Sequence, residues 1–252
     1  MKPDPSRCRV AALIERFFTE RLIRQRNVSP NTIASYRDTF RLLFTFAQGR
    51  LHKPPSELTL EDLDAPFIGA FLADLETKRG AGVTTRNLRL TAVRSFFHFV
   101  SFEEPARSAL IQRVLAIPSK RHDKREVSFL TRPEIEAVLG TPDRTTWLGR
   151  RDYTLLLLAV QTGLRLSELI GLDRDAVHLD VGTHVRCVGK GRKERCTPLS
   201  THVRSALRTW LTEPARKRAT ALFPNVHGGR LSADSIQSLL AKYVRAVGHA
   251  RP

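Results

Sequence analysis

The amino-acid sequence predicts a mainly α-helical protein with a small antiparallel β-sheet, divided into two domains. In the 252-residue chain, four stretches of the first 100 residues repeat apolar side chains at helical spacing. A basic stretch with two prolines and few apolar residues follows. Three short runs separated by turn residues then predict strands among further helices. We therefore expect a helical domain over residues 1–110, a basic linker over 111–127 and a second domain over 128–252.

Four helices are predicted in the first domain from their apolar stripes and capping residues. They cover residues 8–25, a second segment that opens at Ser29-Pro30, a third from Thr59 to Lys78, and a fourth that begins at Thr84-Thr85. Serine before proline is typical of a helix start, because the serine oxygen accepts a backbone N–H and proline has none to satisfy.

The fourth helix also carries a polar stripe on the side opposite its apolar residues. Asn87, Thr91, Arg94 and His98 follow one another at helical spacing. Such a face can lie in a DNA groove, and a solvated helix face is an equally good interpretation. The basic run 119–125 has the same two interpretations, a segment that crosses a phosphate backbone or a solvated spacer.

The second domain is predicted to combine helices with three short strands. A capping box formed by Thr131 and Glu134 opens its first helix. Further helices are predicted over residues 153–161, 164–170, 201–212 and 232–247, and strands over 177–179, 184–188 and 194–199. Gly163 suits the end of the helix over 153–161, because glycine readily adopts the left-handed conformation found there.

The charge balance indicates a polyanionic partner. Lysine and arginine number 42 against 25 acidic residues, which gives a formal net charge of +17 and a pI near 10.9. Nucleic acids are abundant cellular polyanions, so a nucleic-acid-binding protein is favoured. A device for solubility or a ribosome-associated protein is the alternative. Arginine is spread along the chain, which predicts that the basic surface belongs to folded domains.

Other classes of protein are disfavoured by the sequence. It has no run of about 18 apolar residues, and its first ten residues lack the apolar core of a signal peptide. The cysteines Cys8, Cys187 and Cys196 are too few for a disulfide framework and lack the paired spacing of a zinc site. We expect a cytoplasmic protein without membrane contact, metal or cofactor.

The segment TGLRLSEL, from Thr162 to Leu169, is the first candidate for chemistry. Arg165 and Glu168 lie three residues apart, so they share one face of a helix. A carboxylate that orients a guanidinium just after a glycine-terminated helix can hold it for two-pronged contact with a phosphate. On these residues alone, an ordinary surface ion pair is the more frequent arrangement.

The segment VGKGRKERCTPL, from Val188 to Leu199, is the second candidate. Lys190 lies between Gly189 and Gly191 at a predicted hairpin tip, where it can approach a phosphate or protonate a leaving oxygen. A nucleotide-binding P-loop is disfavoured, because Gly191 stands where that loop has serine or threonine and a strand follows instead of a helix.

Together and in this order, the two segments resemble the tyrosine recombinase, or phage integrase, family and especially its Xer-like branch. The resemblance implies an N-terminal SAM-like core-binding domain of four helices and a catalytic α+β domain of the DNA breaking–rejoining type. It also implies that Arg165 clamps the scissile phosphate, that Glu168 orients this arginine, and that Lys190 is the general acid toward the leaving 5′-hydroxyl.

The resemblance further implies a DNA interface. The second and fourth helices of the first domain would enter DNA grooves. The predicted contacts are Thr84, Thr85, Arg86, Asn87, Arg94, Lys120, Arg121, Arg192 and Lys193. Double-stranded DNA is thus the predicted partner, and further copies of the chain or full-length recombinase subunits are expected beside it on the DNA.

The sequence departs from the family pattern at its end. The family continues with a His-x-x-Arg box, a second His or Trp and the nucleophilic tyrosine, whereas this sequence ends at Pro252. His249 and Arg251 have the wrong spacing for that box, and Tyr243 shares an apolar stripe with Ile236, which predicts a core residue. We therefore expect an incomplete catalytic domain that binds DNA without cleaving it. A regulator of full-length recombinases is one alternative, and supply of the missing part by another polypeptide is a second.

Overall fold

The computed structural model describes residues 9–122, 129–189, 191, 193–214 and 219–249. The chain divides into two compact units, Met1–Glu126 and Val127–Pro252. The helices of the first unit are α1 Val10–Arg16, which continues as a π-helical stretch Phe17–Gln25, then α2 Pro30–Leu51, α3 Ala65–Thr77, α4 Val83–Glu103 and α5 Ser108–Leu115.

Aromatic side chains fill the centre of the first unit, where the π-helical stretch meets α2 and α4. Phe17 and Phe96 are fully buried, with ring centroids 5.6 Å apart in edge-to-face geometry. Phe40 of α2 joins them at 5.4 Å from Phe96. Burying each such ring stabilises the fold by roughly 1.5–3 kcal/mol relative to exposure. The apolar stripes predicted for three helices therefore meet in one core.

Capping side chains mark the starts of α2 and α3 in the first unit. Ser29 Oγ accepts a backbone N–H at 3.2 Å at the start of α2, which confirms the predicted helix start. The predicted start of the third helix at Thr59 is wrong. Thr59 opens a short 3-10 turn, and α3 begins after Asp64, whose carboxylate accepts a backbone N–H at 2.8 Å. The extended backbone of Asp64 separates the turn from the helix.

The helix α5 extends the first unit beyond the boundary predicted at residue 110. Ile111 and Val114 of α5 are fully buried in the core of this unit. Of the two prolines that predicted a linker, Pro105 opens a 3-10 turn just before α5 and Pro118 follows the helix. The linker therefore does not begin at residue 111, because the apolar residues between the prolines form a packed helix.

In the described part of the second unit, five helices accompany a three-stranded antiparallel sheet in the order β1–β2–β3. The helices are α6 Arg132–Gly140, α7 Trp147–Thr162, α8 Leu166–Gly171, α9 Thr201–Thr212 and α10 Ala233–His249, and the strands are β1 Val177–His178, β2 His184–Val188 and β3 Glu194–Pro198. The predicted fold class, mainly α with a small antiparallel sheet, is confirmed.

The end of α7 and the pairing of β2 with β3 place the candidate segments. Gly163 ends α7 with a φ of 59°, the left-handed conformation that its sequence position predicts. The helix starts at Trp147, earlier than predicted, because Thr146 Oγ1 accepts a backbone N–H at 3.0 Å. In the sheet, Cys187 lies opposite Arg195, and the Cys187 side chain is buried.

Candidate active site

Arg165 lies at the start of α8, and its guanidinium is held on a buried carboxylate. Glu168 Oε2 accepts the backbone N–H of Arg165 at 2.8 Å, and Glu168 Oε1 accepts a hydrogen bond from Arg165 Nη1 at 3.1 Å. The Glu168 side chain is 3% exposed, whereas that of Arg165 is 63% exposed. The structure therefore brings the two residues together as predicted and leaves the arginine open to solvent.

Arg195 on β3 is a second partner of Glu168, and sequence reasoning missed it. Its Nη2 donates to Glu168 Oε2 at 2.8 Å, and its Nε donates to Cys187 Sγ at 3.3 Å. A signal was present, because pairing β2 with β3 across the glycine-bounded turn brings positions 187 and 195 together. This signal does not identify the anionic partner of Arg195, because Glu168 lies 27 residues away in the chain.

The turn between β2 and β3 approaches the same carboxylate. A Cβ atom added at Gly189 would lie 3.0 Å from Glu168 Oε1, so a larger residue there would press on the glutamate. The Gly189 N–H donates to the Lys193 carbonyl at 2.8 Å, and Gly191 has a φ of 78°, which favours glycine. The glycines therefore permit a tight turn next to Glu168.

Glu168 is ionised at neutral pH in spite of its burial. Burial alone would raise its pKa, but hydrogen bonds from the backbone and guanidinium of Arg165 and the charge of Arg195 hold the pKa below its ordinary value. An ionised Glu168 binds both guanidiniums. Since arginine presents a planar fork of N–H donors that matches two phosphate oxygens, the exposed part of Arg165 can bind a phosphodiester.

Tyr243 of α10 is buried, which confirms its predicted place in the core. It is 5% exposed, and its hydroxyl donates to Asp152 Oδ2 at 2.8 Å. Asp152 also pairs with Arg151 at 2.7 Å, and Arg151 donates to the Pro224 carbonyl at 3.0 Å. Burial and the hydrogen bond to Asp152 raise the pKa of the phenol well above its ordinary range. This network joins α10 to α7, and sequence reasoning did not predict it.

The other two tyrosines of the sequence also contact neighbouring side chains. Tyr36 packs on the core of the first unit and stacks with Phe17 at a centroid distance of 6.3 Å. The Tyr153 hydroxyl lies 3.2 Å from His202 Nε2, and the Arg144 guanidinium lies over the Tyr153 ring at 4.8 Å from its centroid. All three tyrosines therefore take part in packing.

The residues of α4 in the polar stripe and among the predicted DNA contacts divide into exposed residues and residues that bind the segment after α5. The exposed ones are Thr84, Thr85, Thr91 and His98. Arg86, by contrast, is 7% exposed and donates from Nη1 to the Pro118 carbonyl at 3.0 Å. In this structure the Arg86 guanidinium thus has a protein partner.

Asn87 and Arg94 bind the same segment. Asn87 Nδ2 donates to the Lys120 carbonyl at 2.8 Å, and the Lys120 N–H donates to Asn87 Oδ1 at 3.0 Å. Arg94 donates to the Ile117 carbonyl and, at 3.3 Å, to Ser119 Oγ. The polar stripe predicted on α4 is therefore partly covered by the chain itself.

The remaining predicted DNA contacts lie after α5 and in the hairpin. Lys120 Nζ lies 2.8 and 2.9 Å from the two carboxylate oxygens of Glu76, and Arg121 is exposed. Lys193 is exposed as well. Outside the described residues lie Lys190 and Arg192. Contact of any of these residues with DNA stays a prediction.

Two further properties concern the described residues alone. Among them, no cluster of three or more His, Cys, Asp or Glu side chains could hold a metal ion. Within the same part of the chain, none of the helices has both the length and the apolar character that crossing a membrane requires.

Comparison with known proteins identifies the family of the chain. The model of the phage integrase family matches residues 128–252, and the model of the phage integrase N-terminal SAM-like domain matches residues 14–104. A Sinorhizobium fredii protein whose name describes it as an integrase/recombinase is 57% identical over 93% of this chain and 70% of its own length. The tyrosine recombinase XerC of Pelotomaculum thermopropionicum is 34% identical over 90% of this chain and 76% of its own length.

A solved structure has the same fold. The XerH site-specific recombinase, bound to a palindromic difH substrate after cleavage, superposes with a TM-score of 0.65 at 22% identity. The likeness covers 88% of this chain and 65% of the XerH chain. The chain belongs to the phage integrase family of tyrosine recombinases.

Proposed function

We propose that this chain acts in site-specific DNA recombination and integration, by binding duplex DNA and holding the scissile phosphate. The name of the XerC relative and the DNA substrate in the XerH structure support this proposal. The formal charge of +17 supports it independently, because a protein that neutralises phosphates needs an excess of cations.

The observation that carries the proposal is the exposed guanidinium of Arg165 on the buried, ionised Glu168. Cleavage of a phosphodiester passes through a transition state with added negative charge on its oxygens. A donor fixed in advance stabilises that charge without reorganising, and one such donor is worth about 3–4 kcal/mol. Arg165 is the phosphate ligand in this proposal, and Glu168 keeps it in place.

Lys190 and Arg195 complete the proposed site. Lys190 is the proposed general acid toward the leaving 5′-hydroxyl, a role that rests on the family motif and on its glycine neighbours. Arg195 is a positioning residue, because it links the hairpin that carries Lys190 to the glutamate that holds Arg165. Arg165 and Arg195 share Glu168 as their partner.

DNA contacts outside the site belong to the same proposal. Thr84 and Thr85 are exposed where α4 begins, Arg121 is exposed after α5, and Lys193 is exposed just before β3. Since the XerH substrate is palindromic, and a palindrome offers two equivalent half-sites to two copies of a protein, we propose a homo-oligomer on DNA. Action in the cytoplasm, as the sequence predicts, is part of this proposal.

A second candidate function is supported by the tyrosines. Tyr36, Tyr153 and Tyr243 are all engaged in packing, and the raised pKa of Tyr243 disfavours its deprotonation. A chain with these tyrosines can occupy a recombination site without cleaving it. The second candidate is therefore a DNA-binding regulator of full-length recombinases.

Covalent trapping distinguishes the two functions. The protein is incubated with a labelled pool of nicked duplexes, and adducts that survive denaturing detergent are counted. The recombinase function predicts covalent adducts. Salt-sensitive binding without adducts would favour the regulator, and an absence of DNA binding would contradict both functions.

A further inference from the structure

The segment over residues 117–120, here called the anchored segment, is bound at each of its residues by side chains of α3 and α4. Arg94 binds the Ile117 carbonyl and Ser119 Oγ, and Arg86 binds the Pro118 carbonyl. Two parts of Lys120 are bound by different residues. Glu76 binds the side-chain ammonium, and Asn87 binds the backbone N–H and carbonyl.

The contact with Asn87 is specific for backbone. The Asn87 amide accepts from the Lys120 N–H at 3.0 Å and donates to the Lys120 carbonyl at 2.8 Å, so one side chain satisfies both polar groups of a residue. The Arg86 contact is nearly enclosed, because this arginine is 7% exposed. A buried guanidinium needs hydrogen-bond acceptors, and the Pro118 carbonyl provides one.

We propose that Arg86, Asn87 and Arg94 are positioning residues that anchor residues 117–120 on α4, instead of contacting DNA. The connection to the second unit then starts after Lys120 and not at the end of α5. Hydrogen bonds to the anchored segment hold Arg86 Nη1, the Asn87 amide and both Nη atoms of Arg94, so these groups could reach a DNA groove only after releasing the segment. The anchor itself needs no DNA, so it can be tested apart from the proposed function.

The first arm of the test is limited trypsin digestion without DNA. Asn87→Leu removes both hydrogen bonds to Lys120, and we expect cleavage after Lys120 and Arg121 to rise about tenfold, because cleavage requires local release of the segment. Asn87→Asp keeps the acceptor and should give a smaller rise. Thr91→Ala is the matched control, since Thr91 Oγ1 bonds a carbonyl of its own helix.

Trypsin cleavage after Arg79, in the turn that follows α3, reports unfolding of the first unit and is the internal control. If only the anchored segment is released in Asn87→Leu, cleavage after Lys120 rises while cleavage after Arg79 stays constant. Equal rises at both positions, or no rise after Lys120, would overturn the proposal. Arg94→Ala provides a second variant and should behave like Asn87→Leu.

The second arm measures duplex DNA binding against salt, and it rests on the proposed DNA binding. A direct phosphate contact contributes about 0.9 to the slope of log affinity against log salt. We expect Arg94→Ala to keep the parent slope and to change affinity by less than about twofold, since the connection lengthens by only a few residues. A slope reduced by about 0.9, with trypsin protection unchanged, would show a DNA contact and overturn the anchor.

Discussion

Arg86 in the first unit and Arg165 in the second are both predicted to contact DNA, yet the guanidinium of Arg86 is buried and that of Arg165 is exposed. Arg86 is 7% exposed and donates to a backbone carbonyl, whereas the Arg165 side chain is 63% exposed and bound to a buried carboxylate. Helical spacing places both residues correctly but does not show which guanidinium is buried. Tertiary partners decide which arginine is available to a phosphate.

The largest expected effect is on the rate of strand cleavage, and it distinguishes Arg165 from the arginines of α4. The proposed recombinase function predicts that Arg165→Ala slows strand cleavage on a nicked duplex by about 10²–10³-fold, because a fixed donor to the transition state is lost. Its affinity for DNA should change little, since the proposed role of this arginine is in the transition state.

Arg94→Ala is the matched variant, because it removes the same charge from a residue that binds backbone. We expect its cleavage rate to stay within about threefold of the parent rate, as the rate depends on transition-state contacts. Equal loss of cleavage in the two variants would remove the distinction between the two regions. Full activity in Arg165→Ala would disprove its role as the phosphate ligand.

Glu168→Gln tests whether the ionised carboxylate, which binds Arg165 and Arg195, stabilises the second unit. We expect the free energy of unfolding to fall by about 2–3 kcal/mol at pH 7, because hydrogen bonds to a charged group are lost. The folded pKa of Glu168 lies below its ordinary value of 4.5, so its contribution is present above that pH and is lost as the pH falls through the folded value. The difference in the free energy of unfolding between parent and variant should therefore become smaller below pH 4.5.

Urea unfolding followed by tryptophan fluorescence provides this measurement, since both tryptophans, Trp147 and Trp210, lie in the second unit. Glu136→Gln is the control, because Glu136 forms an exposed pair with Arg132 on α6. It should change stability by less than about 0.5 kcal/mol at any pH. If the difference in the free energy of unfolding between the parent and Glu168→Gln increased at acid pH, the assignment of an ionised Glu168 would be contradicted.

Tyr243→Phe has the smallest expected effect and tests the buried network. Loss of the hydroxyl leaves Asp152 with fewer donors in buried surroundings, so we expect about 1–2 kcal/mol of destabilisation. Tyr153→Phe should cost less than about 0.5 kcal/mol, because the hydroxyl of Tyr153 meets His202 at an exposed position. Equal stability of the two variants would show that the Asp152 contact contributes little.

Features that depend on neighbouring residues were predictable from the sequence. The cap at Ser29, the left-handed Gly163 and the turn bounded by Gly189 and Gly191 each follow from local chemistry. The pairing of Arg165 with Glu168 did so as well, because three residues on a helix share a face.

Features that depend on partners distant in the chain were not predictable. The link from Arg195 to Glu168 spans 27 residues, and the bond from Tyr243 to Asp152 spans 91. The start of α3 was missed for a different reason. Thr59 and Asp64 are both good caps, and only the folded backbone shows that the first opens a 3-10 turn.

The central claim, that the chain binds duplex DNA through its phosphates, is tested most directly by a titration of affinity against salt. Six or more phosphate contacts, which the charge of +17 can supply, predict log affinity falling with log salt at a slope of about −5 or steeper. Fluorescence anisotropy of a labelled duplex, over salt concentrations that keep the protein folded, measures this slope. A flat dependence, or no binding at low salt, would contradict the claim.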